Sequence, residues 1–266
     1  MVESKMMETI QDELRRLERE ENVRILYACE SGSRAWGFPS KDSDYDVRFL
    51  YVRPVEWYLS VFDRRDVIER PISDMLDISG WDLRKALRLL RKSNPPLLEW
   101  LRSPILYAEF SDAADRLREL SSRAFSPKSS MHHYLNMARG NFREYLQGDV
   151  VRIKKYFYVL RPVLACKWVV KFEEVPPLEF QTLVRELIPA ESSLHEAIQE
   201  LLARKMSGEE LDYEPKLNVL NDYLDAELSQ LTKLAEEAAP AQPISEEELD
   251  GLFRDTLAEV WGKVLY

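Results

Sequence analysis

Apolar residues in this chain change their spacing partway along, and the change divides it in two. Residues 3–21 carry apolar positions at helical spacing among many Glu and Arg side chains, which predicts an amphipathic helix. The run 23–29 is short, apolar and rich in β-formers, and it is followed at once by the turn residues Ser31-Gly32-Ser33. A second β-type run covers 45–52 and closes at Pro54, and weaker strands are expected at 66–70 and 75–78. After Gly80 the period lengthens: residues 83, 86, 87, 89 and 90 form a helical stripe within 81–92. Asn94-Pro95-Pro96 stops that helix, and a short one follows over 97–101. From residue 112 onward the pattern is helical, with helices expected at 112–123, 127–147, 150–172, 178–187, 191–207, 215–237 and 246–264. Pro176-Pro177, Pro189 and the Pro/Ala stretch 239–243 separate them, and Ser245 with Glu248 three residues on forms a capping-box signature. The expected fold class is α+β: a mixed-sheet domain over 1–110, then an all-helical domain over 111–266.

Composition narrows the class without changing this plan. Hydrophobic residues at 45% and charged residues at 32% are those of a globular protein with ample core. No apolar run approaches the roughly 18 residues of a membrane span, so a cytoplasmic protein with no membrane partner is expected. Cys29 and Cys166 lie in separate apolar stretches with no CxxC or zinc-type spacing, and both are expected as buried thiols. The net charge of −10 argues against a polyanionic partner until its distribution is read. Residues 191–266 hold 18 acidic against 6 basic side chains, whereas 139–171 hold eight basic against only Glu144 and Asp149. A polyanion is attracted to the middle of the chain and repelled from its tail, whose acidic last helix is solvated surface or a protein-partner element.

The chemistry concentrates between Gly32 and Asp46. A strand that ends in a Gly-Ser turn points backbone N–H groups and a hydroxyl outward, an arrangement suited to phosphate oxygens. The next strand opens with Asp44-Tyr45-Asp46, and strand alternation puts both carboxylates on one face. Clustered hard oxygen ligands that repel one another call for Mg²⁺ or Mn²⁺. Asp77, in the apolar-acid-apolar triplet Leu76-Asp77-Ile78, is the candidate third carboxylate for two-metal displacement at phosphorus. Taken alone, the Asp-x-Asp pattern is better explained as a solvated turn, with Asp42-Ser43-Asp44 capping backbone N–H groups. The joint pattern of strand, Gly-Ser, Ser-Asp-x-Asp and a later strand aspartate favours phosphate and metal chemistry.

Gly32-Ser33 followed by Ser43-Asp44-Tyr45-Asp46 resembles the signature of the DNA-polymerase-β nucleotidyltransferase superfamily. Gly32-Ser-Arg-Ala-Trp-Gly37, Asp42-Ser-Asp-Tyr-Asp-Val-Arg48, Asp77-Ile-Ser-Gly-Trp-Asp-Leu-Arg-Lys85 and Ser93-Asn-Pro-Pro-Leu-Leu-Glu-Trp100 are similar to the predicted nucleotidyltransferases described as RNA-ligase accessory proteins. The likeness continues through Lys154-Lys155-Tyr156-Phe157-Tyr158 and Leu160-Arg161-Pro162 and covers about residues 20–172. The resemblance implies a mixed sheet flanked by helices, Ser33 at the β- and γ-phosphates, Asp44 and Asp46 on both metals, and Asp77 as the third carboxylate. It also implies transfer of a nucleoside monophosphate from a triphosphate, ATP being the expected one, to an acceptor hydroxyl. An RNA 3′ end is the favoured acceptor, from the resemblance and the basic stretch together. Adenylylation of a protein or a small molecule, and a non-catalytic nucleotide- or RNA-binding module, are the alternatives. No Gly-x-x-x-x-Gly-Lys-Ser/Thr loop or histidine cluster supports a kinase-like or hydrolytic enzyme.

Further residues join this expectation. Arg34 follows the Gly-Ser turn and adds charge at the triphosphate, or is an ordinary surface arginine. Arg48 shares the strand face of Asp46 and braces a carboxylate. Lys154, Tyr158 and Arg161 lie at i, i+4, i+7 with Lys155 at the margin, so a helix face presents them to phosphates or acceptor, unless it is a basic solvated face. Trp36, Trp81 and Trp100 are expected to pack, Asp82 to cap a helix, and His132-His133 to make local contacts.

Overall fold

The computed structural model describes residues 4–72, 75–238 and 243–262. The Pro/Ala stretch at 239–242 and the expected end of the last helix at 263–264 lie outside the described residues. The chain forms α1 (Ser4–Glu21), β1 (Arg24–Ser31), α2 (Gly32–Ala35), β2 (Tyr45–Val52), α3 (Val55–Tyr58), β3 (Val67–Glu69), β4 (Leu76–Asp82), α4 (Leu83–Arg91), α5 (Pro95–Trp100), β5 (Leu106–Glu109) and α6 (Ala113–Ala124). There follow α7 (Pro127–Tyr145), β6 (Val150–Arg152), α8 (Lys155–Phe172), α9 (Phe180–Leu187), α10 (Ser193–Ser207), β7 (Tyr213–Pro215), α11 (Asn218–Glu237) and α12 (Glu246–Trp261). The class is α+β, with a mixed sheet and a large helical complement.

Two compact units share the chain. The first comprises the residues up to Ala35, Asp44–Ala124, and the residues from Pro243; the second comprises Trp36–Ser43 and the residues from Phe125 to Gln242. This differs from a break at 110/111 in three places. Helix α6 belongs to the first unit because Ala113, Ala114, Leu117 and Leu120 are buried and the helix contacts β1 and α4. Helix α12 also joins it, through contact with α4. Residues 36–43 belong instead to the second, whose core includes Phe38 with Trp36 packed against it.

The five-stranded sheet of the first unit has the order β3-β4-β2-β1-β5. β2 runs antiparallel to β1 and parallel to β4; β3 and β5 are antiparallel edges. Alternation along β2 sets its two faces. Tyr45, Val47, Phe49 and Tyr51 enter a core with Ile10, Leu14 and Leu17 of α1, so Asp46 and Arg48 project from the other face. Phe49 lies so close over Gly80 of β4 that a Cβ there would stand 2.3 Å from its ring.

The expected strands 23–29, 45–52, 66–70 and 75–78 all form, the last extending to Asp82. Three further strands were not expected. β5 follows Pro104 as a four-residue edge, and β6 pairs antiparallel with β7 in a three-residue ribbon. The β6 strand replaces the start of the helix expected from 150, because the β-branched Val150-Val151 pair extends against Glu214 and Pro215. The helix begins at Lys155 and continues through the buried Pro162.

In the second unit α7 and α8 are packed along each other, with α9, α10 and α11 around them. Cys166 is buried in this core and Cys29 in the sheet; both are free thiols. No helix among the described residues is long and apolar enough to cross a membrane.

Candidate active site on the sheet of the first unit

The site is built where β1 ends and β2 begins. The antiparallel register sets Ser31 opposite Asp46, and the parallel register sets Asp46 opposite Asp77 on β4. Two aspartates are thereby neighbours on one sheet face, brought there by strands about thirty residues apart. Their side chains keep 28% and 31% exposure, enough to be reached from solvent.

Like charges at that separation need a counter-charge. Arg48, two residues along β2 on the same face, supplies it. Its Nη2 donates to Asp77 Oδ2 at 2.7 Å and to Asp46 Oδ1 at 3.2 Å. Its Nη1 donates to the backbone carbonyls of Asp77 at 2.9 Å and Val47 at 3.1 Å. One guanidinium therefore ties both carboxylates and both strands together. Burial pushes the Asp46 carboxyl above the usual range; Arg48 opposes this, and the like charges of Asp77 and Asp44 add to it.

Gly32 opens the turn with φ +63°, a conformation that favours glycine. It also lies against the Asp46 carboxylate: a Cβ there would stand 2.0 Å from Oδ2. Ser33 follows it in α2. Arg34 is not a loose surface cation. Its Nε donates to the Asp44 carbonyl at 3.2 Å and its guanidinium lies 3.6 Å from the centre of the Tyr45 ring, so it straps the turn to the start of β2. Ser43, buried at the end of the intervening loop, accepts the Ser40 N–H at 2.9 Å.

Glu30 had no signal in the sequence. It is wholly buried at the end of β1, where Oε1 accepts the Asp46 backbone N–H at 2.9 Å and the Tyr107 hydroxyl donates to Oε2. Burial pushes its carboxyl up to about 7 against the pull of these two donors. It holds the backbone of Asp46 from behind.

The donor chemistry fits a hard divalent cation: partly exposed carboxylate oxygens whose like charges couple at Asp46. Among the described residues no group of three or more His, Cys, Asp or Glu is gathered into a ready-formed metal centre. Asp44 stands exposed just before β2, and Arg48 provides the positive charge between the other two.

The remaining candidates lie in the second unit. Lys154 is exposed as the residue before α8. Lys155 places Nζ 4.0 Å from the Tyr145 ring centre and 5.0 Å from that of Tyr158, and burial and the nearby Arg152 hold its amine below the usual range. Tyr158 meets Trp36 edge-on at 6.2 Å, and Trp36 lies 4.6 Å from the buried Arg161 guanidinium. The shared face is therefore a cation–aromatic run from Lys155 to Arg161, with Lys154 outside it. Elsewhere Trp81 and Trp100 pack together at 3.9 Å, Asp82 caps α4 by accepting the Arg84 N–H at 2.8 Å, and His133 meets Tyr134 edge-on.

Comparison with known proteins identifies the family. A protein of Bacillus subtilis (strain 168), YcgL, is 53% identical over 256 residues, covering 96% of this chain and 98% of that one. The crystal structure of a nucleotidyltransferase-like protein from Exiguobacterium sibiricum 255-15 aligns over 95% of this chain and 87% of its own, at 11% identity and a TM-score of 0.31. The family described as RlaP, RNA repair pathway DNA polymerase beta family, matches residues 6–255. The chain belongs to this RNA repair branch of the DNA polymerase β superfamily, a family of nucleotidyltransferase type.

Proposed function

We propose that this protein transfers a nucleoside monophosphate from a nucleoside triphosphate, ATP in the first instance, to an acceptor hydroxyl at an RNA 3′ end. The observation that carries the reading is the Asp46–Asp77 pairing across β2 and β4, with Gly32 packed on the Asp46 carboxylate. In the reaction the acceptor oxygen forms a bond to the α-phosphorus, the bond from that phosphorus to the bridging oxygen breaks, and pyrophosphate leaves.

The residues assigned to hold Mg²⁺ or Mn²⁺ are Asp44, Asp46 and Asp77. The ion, when bound, supplies Lewis acidity at phosphorus and neutralises developing charge. The turn at Gly32 and Ser33 offers backbone N–H groups and a hydroxyl to phosphate oxygens, and Arg34 adds positive charge beside them. Arg48 and Glu30 position: the first sets the spacing of the two carboxylates, the second the backbone of Asp46. Such pre-arrangement is most of what an enzyme contributes to in-line displacement. In the second unit, Lys154, Lys155 and Tyr158 are assigned to phosphates of the RNA acceptor, with Arg161 supporting Tyr158 through Trp36. The family description as an RNA repair pathway supports RNA as acceptor.

The test is incubation of purified protein with each α-phosphate-radiolabelled triphosphate, Mg²⁺ or Mn²⁺, and a mixed RNA pool. Label on RNA that disappears in Asp46→Ala is the expected result. Label on protein or on a small molecule redirects the acceptor, and nucleotide binding without transfer to any acceptor leaves a binding module in place of an enzyme.

A further inference from the structure

We infer that a second surface of the first unit, running from Phe62 past Trp57 to Arg88, binds single-stranded RNA by its phosphates and an unstacked base. This rests on the RNA reading above but is a claim about binding, away from the aspartates.

Most ion pairs of this unit neutralise its arginines: Arg53 meets Glu21, Arg70 meets Glu20, and Arg91 meets Glu246. Arg64, Arg84 and Arg88 form no ion pair among the described residues, and they are neighbours. Arg64 and Arg84 stand 5.7 and 6.0 Å from the centre of the Trp57 ring, and Arg88 is one helical turn beyond Arg84 on α4. In a chain of net charge −10, guanidiniums grouped around an indole without an ion pair require a reason beyond solubility.

Two further features lie beside them. The segment after α3 exposes Leu59, Val61 and Phe62, with Phe62 78% exposed, an aromatic face open to stacking. Arg84 and Arg88 also line a groove of about 370 Å³ between α4 and α12, floored by Leu87, Leu249 and Phe253. Asp250 is the one groove carboxylate that Arg91 does not engage, and the two arginines outnumber it. A line of cations, an open aromatic ring and an apolar-floored groove match a flexible polyanion whose bases turn outward. An anionic membrane would meet the same apolar loop, but it makes no use of a groove between two helices.

The experiment is fluorescence anisotropy of a labelled unstructured oligoribonucleotide with the full chain, without nucleotide, between about 50 and about 200 mM salt. Binding is expected to weaken at least tenfold in the triple variant Arg64→Ala/Arg84→Ala/Arg88→Ala, and its salt slope to fall by about 2. Arg88→Glu, at an exposed position, gives the same direction without disturbing the aromatic packing, and Phe62→Ser weakens binding without changing the salt slope. Asp46→Ala should lose transfer yet bind RNA as the parent does, whereas a parent that binds RNA but transfers no label to it overturns the catalytic reading and leaves this one standing. Unchanged RNA affinity in both the triple and Arg88→Glu variants overturns the inference. So does binding of the parent to phosphatidylserine vesicles with no binding to RNA.

Discussion

Gly32 and Asp46 are in contact so close that no other residue fits at the first position: a Cβ on Gly32 would meet Asp46 Oδ2 at 2.0 Å, on a backbone already at φ +63°. Gly32→Ala is therefore expected to do two things at once. The left-handed strain and the displaced carboxylate should cost about 1–3 kcal/mol of stability in urea unfolding. Nucleotidyl transfer should fall further than that loss explains, because the moved atom is the one proposed to work. Full activity in a folded Gly32→Ala protein would remove Asp46 from the site.

Arg48→Met leaves two neighbouring carboxylates facing each other without their guanidinium. The pair is partly exposed, so the expected cost is about 1–2 kcal/mol rather than the larger figure for a fully buried pair. Adding Asp77→Asn should recover part of it. A double-mutant cycle measures this, and a coupling near zero would show that Arg48 holds the strands only through backbone carbonyls.

Glu30→Ala strands the Asp46 N–H and the Tyr107 hydroxyl in a buried place, with an expected loss of about 2–4 kcal/mol. Glu30→Gln keeps an acceptor for the N–H and a polar partner for the hydroxyl, and should cost far less. Calorimetric unfolding of the two variants side by side distinguishes a hydrogen-bonding role from mere packing volume.

Asp82 offers the pH prediction. Burial raises its carboxyl above 3.8, opposed by the Tyr58 hydroxyl at 2.7 Å and the Arg84 N–H. A raised folded-state value means that the protonated form is favoured on folding. The stability it contributes is full below about 3.8 and is lost as pH climbs through the folded value. Asp82→Asn, which retains the cap, should flatten this part of the stability–pH curve. An unchanged slope in denaturant titrations from about pH 4 upward would assign the dependence to other groups.

Helix α12 was expected as solvated acidic surface or a protein-partner element, and three of its acids meet arginines of the first unit: Glu246 with Arg91 at 2.7 Å, Glu248 with Arg123 at 3.0 Å, and Glu259 with Arg116 at 3.1 Å. Exposed pairs contribute little, so Arg123→Ala should change stability by less than about 1 kcal/mol. Removing residues 243–266 should cost several times more, because Leu249, Leu252 and Leu257 lose their burial. Equal effects in urea titrations would mean that charge, not the apolar stripe, docks the helix.

The legible parts of this structure are those whose signal is local. β1 and β2 are continuous apolar runs bounded by turn residues, and α4, α7 and α10 carry both stripe and cap. The Gly-Ser turn and Asp46 could be read from turn residues and strand alternation, but Asp44, expected on the same strand face, stands just before β2. Asp77 was readable as a candidate, but its place opposite Asp46 is a matter of sheet order, which no local pattern contains. Glu30 could not be found, since one acid at a strand end looks like any other until its burial is known. β5, β6 and β7 are too short for a period, and the partners of α12 lie as far as 155 residues away.

The interleaving of the two units has a consequence for the order in which the protein is made. Residues 36–43 are translated well before the rest of the helical unit to which they belong, so Phe38 waits for Phe157 and Phe180, which it packs against, to be synthesised. The helical unit is complete once α11 has appeared, whereas the sheet unit still lacks α12, which is translated after it. Domains usually settle from the N-terminus forward. Here the unit begun first is finished last, and a nascent chain halted before residue 243 carries a complete helical unit beside an incomplete sheet unit.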